Sequence, residues 1–82
     1  MDTITKDLVK KLAQEKLNLL SPVSVKRDYV QDENCYVYVS QNDEFKFHIL
    51  CSSDPQELEK TEDSICEILE EMGHKVSRKY LN

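Results

Sequence analysis

The chain has 82 residues, of which 39% are hydrophobic and 33% charged, with a formal net charge of −5. That is enough for one domain and not for two. A domain of this size buries only about 60% of the surface its unfolded chain exposes, which leaves little room for an enclosed drug-sized pocket. Four Tyr, two Phe and many β-branched residues argue against a disordered chain. The acidic balance repels nucleic acid and anionic membranes on average, but it is uneven. Residues 54–73 hold eight of the sixteen acidic residues and one lysine, whereas Lys75, Arg78 and Lys79 make the last segment basic.

The N-terminus, MDTITKDLVKKLA, lacks the continuous apolar run of a signal peptide. No stretch approaches the roughly 20 apolar residues of a membrane span. The three cysteines, Cys35, Cys51 and Cys66, are odd in number and never in C-x-x-C spacing. The expectation is a cytoplasmic protein whose cysteines are buried small hydrophobes rather than a disulfide framework.

Residues 4–20 read as an amphipathic helix. Ile4, Leu8, Val9, Leu12, Ala13, Lys16, Leu17 and Leu20 fall on one broad stripe at helical spacing. Thr3 or Asp2 can cap its first turn, and Ser21-Pro22 stops it, because proline disfavours helix at the residue before it.

From Val23 to Cys51 the apolar period changes from near 3.6 to 2, and three strands are expected at about 23–30, 34–40 and 44–51. Gln31 to Asn34 and Gln41 to Asp43 carry turn chemistry, since Asn and Asp tolerate left-handed backbone. Pairing Tyr29 with Cys35 sets Val25 opposite Val39, Lys26 beside Tyr38 and Asp28 beside Tyr36. It also turns Arg27 toward the core, so that Arg27 either snorkels past an edge or sits at a bulge. For the second hairpin, a three-residue loop over 41–43 sets Val39 opposite Phe45, Val37 opposite Phe47 and Cys35 opposite Ile49. The other face then pairs Tyr38 with Lys46 and Tyr36 with His48.

Asp54-Pro55-Gln56-Glu57 opens a second helix, with an Asp cap, Pro at the first helical position and Glu three after the cap. Its apolar seam runs Leu58, Thr61, Glu62, Ile65, Ile68, Leu69 and Met72, with Cys66 alongside. Gly73, the only glycine, ends it as a left-handed cap. Residues 74–82 are a short strand or a loose basic tail, and as a strand they could cover the open sheet face. The expected fold is α+β, in the order α-β-β-β-α. A three-stranded antiparallel sheet is packed on one face by two helices, with a possible short C-terminal strand. This order resembles double-stranded-RNA-binding domains. The chain departs from them at Glu57 and Glu59, where those domains place basic residues.

Two surfaces are candidate sites. The first is the helix-free sheet face, with Lys26, Asp28, Tyr36, Tyr38, Lys46 and His48, extended by Val30 and Leu50. Tyrosine beside cationic groups suits a protein interface and can also stack bases. The plainer role of these tyrosines is cross-strand packing. The second is the row Glu59, Asp63, Glu67 and Glu71 on the second helix, with Glu70 beside it. Like charges four apart destabilise a helix, so the row could serve a basic partner or mimic a phosphate backbone. Its plainer role is a solvated face, partly neutralised by the lysines of the first helix and the basic tail.

No catalytic constellation is expected. There is no G-x-S-x-G and no glycine loop, and the register places His48 and Cys51 on opposite faces, apart from any metal or thiol site. The sequence therefore reads as a non-enzymatic protein-interaction module, a small adaptor or inhibitor without cofactor or metal. One alternative is an acidic inhibitor that mimics nucleic acid in a partner's site. Another is a single-stranded nucleic-acid binder using the sheet tyrosines. The expected partner is another protein, with a basic surface if the acidic helix is the interface. Nucleic acid and membrane are not expected as partners. An unpaired sheet edge offers homodimerisation.

Overall fold

A computed structural model describes residues 3–29 and 35–79. The elements are α1 (Thr3–Lys16), β1 (Val23–Tyr29), β2 (Cys35–Gln41), β3 (Phe45–Ser52), α2 (Pro55–Glu71) and β4 (Val76–Lys79). The sheet runs in the order β3-β2-β1-β4. The two β1–β2–β3 pairings are antiparallel, and β4 lies parallel to β1. The fold is therefore the expected α+β arrangement with the C-terminal strand present. That strand extends the sheet at its edge, pairing Val23 with Val76 and Val25 with Arg78, and so does not lie across the open face. The possible cap Asp2, the Gln31–Asn34 turn, Val30 and Tyr80 lie outside the described residues.

The core forms where the apolar side of the sheet meets the helices. Val23, Val25, Val37 and Val39 face Val9 and Ala13 of α1 and Leu58, Ile65, Ile68 and Leu69 of α2. The seam expected on α2 is the buried one, including Thr61 and Cys66. The caps of α2 follow its sequence. Asp54 accepts from the Gln56 amide at 3.0 Å. Glu57 reaches the cap through Ser52: the Asp54 amide donates to Ser52 Oγ, and that hydroxyl donates to Glu57. At the other end Gly73 has φ +96. The Gly73 amide bonds Glu70 O and the His74 amide bonds Leu69 O, both at 3.0 Å, which is a Schellman closure.

Three expectations are corrected. Helix α1 ends at Lys16 rather than residue 20. Asn18 breaks it: its side chain accepts from the Leu20 amide at 2.9 Å, and its own amide and carbonyl are both taken by Gln41. Leu20, placed on the apolar stripe by periodicity, is 91% exposed.

The register of the second hairpin is also different. Its three-residue loop is Asn42–Glu44, one position later than expected, with Asn42 and Asp43 at φ 55 and 57. This pairs Gln41 with Phe45 and Val39 with Phe47. The shift follows from Gln41, which is a buried strand residue rather than part of the turn.

Finally, a β-bulge separates Tyr38↔His48 from Val37↔Leu50, leaving Ile49 unpaired. Beyond it the faces of β3 exchange: Leu50 packs against the core and Cys51 stands exposed opposite Tyr36. The expectation that Cys51 is a core residue and Leu50 an open-face one is thus reversed. Cys66 is buried as expected.

Arg27 stays on the core side in the expected register of the first hairpin. It neither leaves past an edge nor lies at a bulge. Its Nε instead pairs with Glu62 of α2, whose side chain is wholly buried.

Candidate functional site: the helix-free sheet face

Strands alternate their side chains, so the face away from the helices collects Lys26 and Asp28 from β1, Tyr36 and Tyr38 from β2, and Lys46, His48 and Cys51 from β3. The cross-strand rows are Lys26–Tyr38–His48 and Asp28–Tyr36–Cys51, with Lys46 opposite Ser40. The expected rows, Lys26–Tyr38–Lys46 and Asp28–Tyr36–His48, are corrected by the two-residue shift and the bulge. The Lys26–Tyr38 and Asp28–Tyr36 pairs stand as expected, and the residues of β2 and β3 meet in different pairs.

Contacts here centre on His48. Its ring stands edge-on to Tyr36, with centroids 5.3 Å apart and planes at 82°. It also tilts over Tyr38 at 5.4 Å. Lys46 Nζ lies 4.3 Å from the Tyr38 ring centroid, within range of a cation–π contact, and 3.5 Å from Asp28 Oδ2. Together these neighbours leave Tyr38 only 8% exposed, although no helix covers it. Tyr38 is therefore the floor of the face, not a free stacking platform. Tyr36 is half-buried, and Lys46, His48 and Cys51 are exposed.

The bulge has a chemical consequence. His48 and Cys51, three apart, occupy the same face rather than opposite ones. The Tyr36 phenol lies above its ordinary pKa, first because of its hydrogen bond with the Cys51 side chain, then because a thiolate there would oppose a phenolate, and last by desolvation. Among the described residues no three His, Cys, Asp or Glu side chains converge as a metal site.

The acidic row of α2 is exposed at Glu59, Asp63, Glu67 and Glu71, but it does not form one uniform field. Successive residues four apart drift around the helix, so the row crosses from the β4 side to the α1 side. At the first side Asp63 pairs with Arg78 of β4, whose Nε also donates to Cys66 Sγ at 3.2 Å. At the other side Glu67 and Glu71 share a groove with Lys6 and Lys10. The structure does not bring this row together with the sheet residues, since the sheet and α2's core face separate them.

Three structural residues were not singled out from the sequence. Gln41 is buried, with its Oε1 accepting from the Asn18 amide at 2.8 Å and its Nε2 donating to Asn18 O and Ser21 O at 2.7 and 2.9 Å. His74 is buried beside an open depression of about 420 Å³ lined by Ala13, Gln14, Leu17, Leu19 and Met72, and its Nδ1 has no partner. Glu62 falls within the seam without a named partner in the sequence reading, and it is 0% exposed. For Glu62 the signal was present: a coreward Arg27 and a carboxylate on the buried seam of α2 imply each other. For Gln41 and His74 no local pattern marks burial.

Among the described residues no helix is long and apolar enough to cross a membrane. No protein-family model, no curated protein and no solved structure matches the chain.

Proposed function

We propose that this domain is a non-catalytic protein-interaction module that docks through its helix-free sheet face. The observation that carries this reading is local cationic character on an acidic chain. Lys26 sits opposite Tyr38 and Lys46 lies over its ring, His48 stands edge-on to Tyr36, and Asp28 is already engaged by Lys46. An interface of this kind draws contact area from the aromatic rings and orientation from the charged rim. The partner that fits is a protein with an acidic, hydrogen-bond-accepting surface.

Other observations support this reading over its alternatives. Base stacking needs open ring faces, and Tyr38 already lies beneath Lys46 and His48. Mimicry of a phosphate backbone needs an unbroken acidic row, whereas Asp63 is tied to Arg78 and Glu67 and Glu71 lie beside lysines. Catalysis needs a cleft that excludes water, and an exposed sheet face supplies none.

The test is co-purification with wild-type protein, with a Tyr36→Ala/Lys46→Glu variant and with a Glu59→Lys/Glu67→Lys variant, each checked for folding by circular dichroism. The expected result is an acidic-surfaced protein retained by wild type and by the helix variant, but lost by the sheet variant. Loss only from the helix variant would move the interface to α2 and sink this reading. Retention of nucleic acid, lost with Tyr36, would replace it.

A further inference from the structure

We infer that the flank formed by α1 and the edge strand β3 is a self-association surface that pairs two copies of this chain about a two-fold axis. It is separate from the helix-free face and does not depend on the reading above. The starting observation is a row of apolar residues on α1. Ile4, Leu8 and Leu12 are four apart and share one face, but successive members drift around the helix. Val9 and Ala13 point into the core, while Leu12 lines an apolar groove with Phe45, Phe47 and Ile49 of β3. From there the row turns outward. Leu12 is half-buried, Leu8 is 46% exposed and Ile4 is 81% exposed. The groove therefore opens into a continuous apolar flank, with half-buried Phe45 and Phe47 on its sheet side. Among the described residues, strand β3 is also an outer strand of the sheet, with no neighbour beyond it.

The pattern of this flank is self-complementary. Two α1 helices packed antiparallel with Leu8 on the axis set Ile4 of each against Leu12 of the other, and Leu8 against Leu8. The most exposed member of the row in one copy thus meets the groove-lining residue of the second. Charges agree with that arrangement. Asp7 and Lys11 flank the row, and the antiparallel pairing brings Asp7 of one copy near Lys11 of the other. An axis perpendicular to the sheet relates both elements at once, so the β3 edges come together antiparallel in the same assembly. The stretch Phe45–His48, which is regular before the bulge at Ile49, is the part free to pair. An isologous contact of this kind closes on itself and stops at the dimer.

The experiment is sedimentation equilibrium on the full chain, from low micromolar to near-millimolar concentration, with wild type, Leu8→Lys, Ile4→Lys and, as control, Leu20→Lys. Leu20 is exposed in the turn after α1 and lies outside the Ile4–Leu8–Leu12 row. Wild type and Leu20→Lys are expected to pass from monomer to dimer. Leu8→Lys and Ile4→Lys are expected to weaken association by more than about tenfold, because each symmetric substitution removes an apolar contact on both sides of the axis. Ile4 is too exposed to be needed for folding, so its variant reports association alone. A wild type that stays monomeric throughout would overturn the inference. So would dimerisation unchanged by Leu8→Lys and Ile4→Lys, which would assign the contact to another surface.

Discussion

Arg27 of β1 and Glu62 of α2 form an ion pair that fastens the middle of the sheet to the helix above it, with the Glu62 side chain sealed from solvent and its Oε2 left without a partner. Such a pair offsets a large desolvation cost with its own attraction, so removing one member leaves a buried charge. Arg27→Met is expected to cost about 3–5 kcal/mol in urea denaturation. The double variant Arg27→Met/Glu62→Leu is expected to recover most of that loss. A single variant as stable as wild type would mean that the pair contributes nothing to holding α2 on the sheet.

The two open-face tyrosines are expected to differ in thermal denaturation. Tyr38 is covered by Lys46 and His48, so Tyr38→Ala removes a buried aromatic ring and is expected to cost roughly 3 kcal/mol. Tyr36 is only half-buried, and Tyr36→Ala is expected to cost on the order of 1 kcal/mol or less. Equal losses would show that Tyr36 is also a packing residue, and that it is unsuitable for testing the docking face.

Gln41 holds residues 18–21 against the end of β2 by three hydrogen bonds. Gln41→Ala removes the partner of the Asn18 amide and the side-chain donor to the Ser21 carbonyl, leaves the Asn18 carbonyl only the Ser21 amide, and is expected to cost about 1–3 kcal/mol. Gln41→Glu is expected to be worse, because a carboxylate oxygen would face the Asn18 and Ser21 carbonyls. Amide hydrogen exchange of residues 18–21 checks this. Protection unchanged in Gln41→Ala would mean that Ser21-Pro22 and Asn18 shape the turn by themselves.

Burial lowers the pKa of His74 below its ordinary value of 6.5. The unfolded chain therefore takes up the proton first as pH falls. The contribution of His74 to stability is complete above about pH 6.5, declines as pH drops through that value, and levels off below the folded-state pKa. His74→Leu is expected to flatten this part of the stability–pH curve. An unchanged slope would assign it to other groups.

The elements, their order and the first hairpin's register were legible in the sequence, because each rests on local chemistry. The 3.6-residue stripe of α2, its Asp54-Pro55 start and its Gly73 stop are decided within a turn of chain. The pairing of Val25 with Val39 follows from the alternation of two short strands. The face carrying Lys26, Tyr36, Tyr38, Lys46 and His48 was likewise readable from period two, with its β1–β2 pairs but not its β2–β3 pairs.

What only the tertiary structure decided depends on contacts between segments distant in sequence. Asn18 and Gln41, 23 residues apart, together end α1 and move the second hairpin by two positions, since a buried strand residue cannot also be a turn. The bulge at Ile49 lets Phe47, Ile49 and Leu50 all reach the helix side, and in doing so carries Cys51 out beside Tyr36. Parallel pairing of β4 with β1 keeps the face open and places Arg78 between Asp63 and Cys66. Periodicity describes which side of an element is apolar. How those sides are matched, and which polar groups are drawn inside with them, is set by packing over the whole domain.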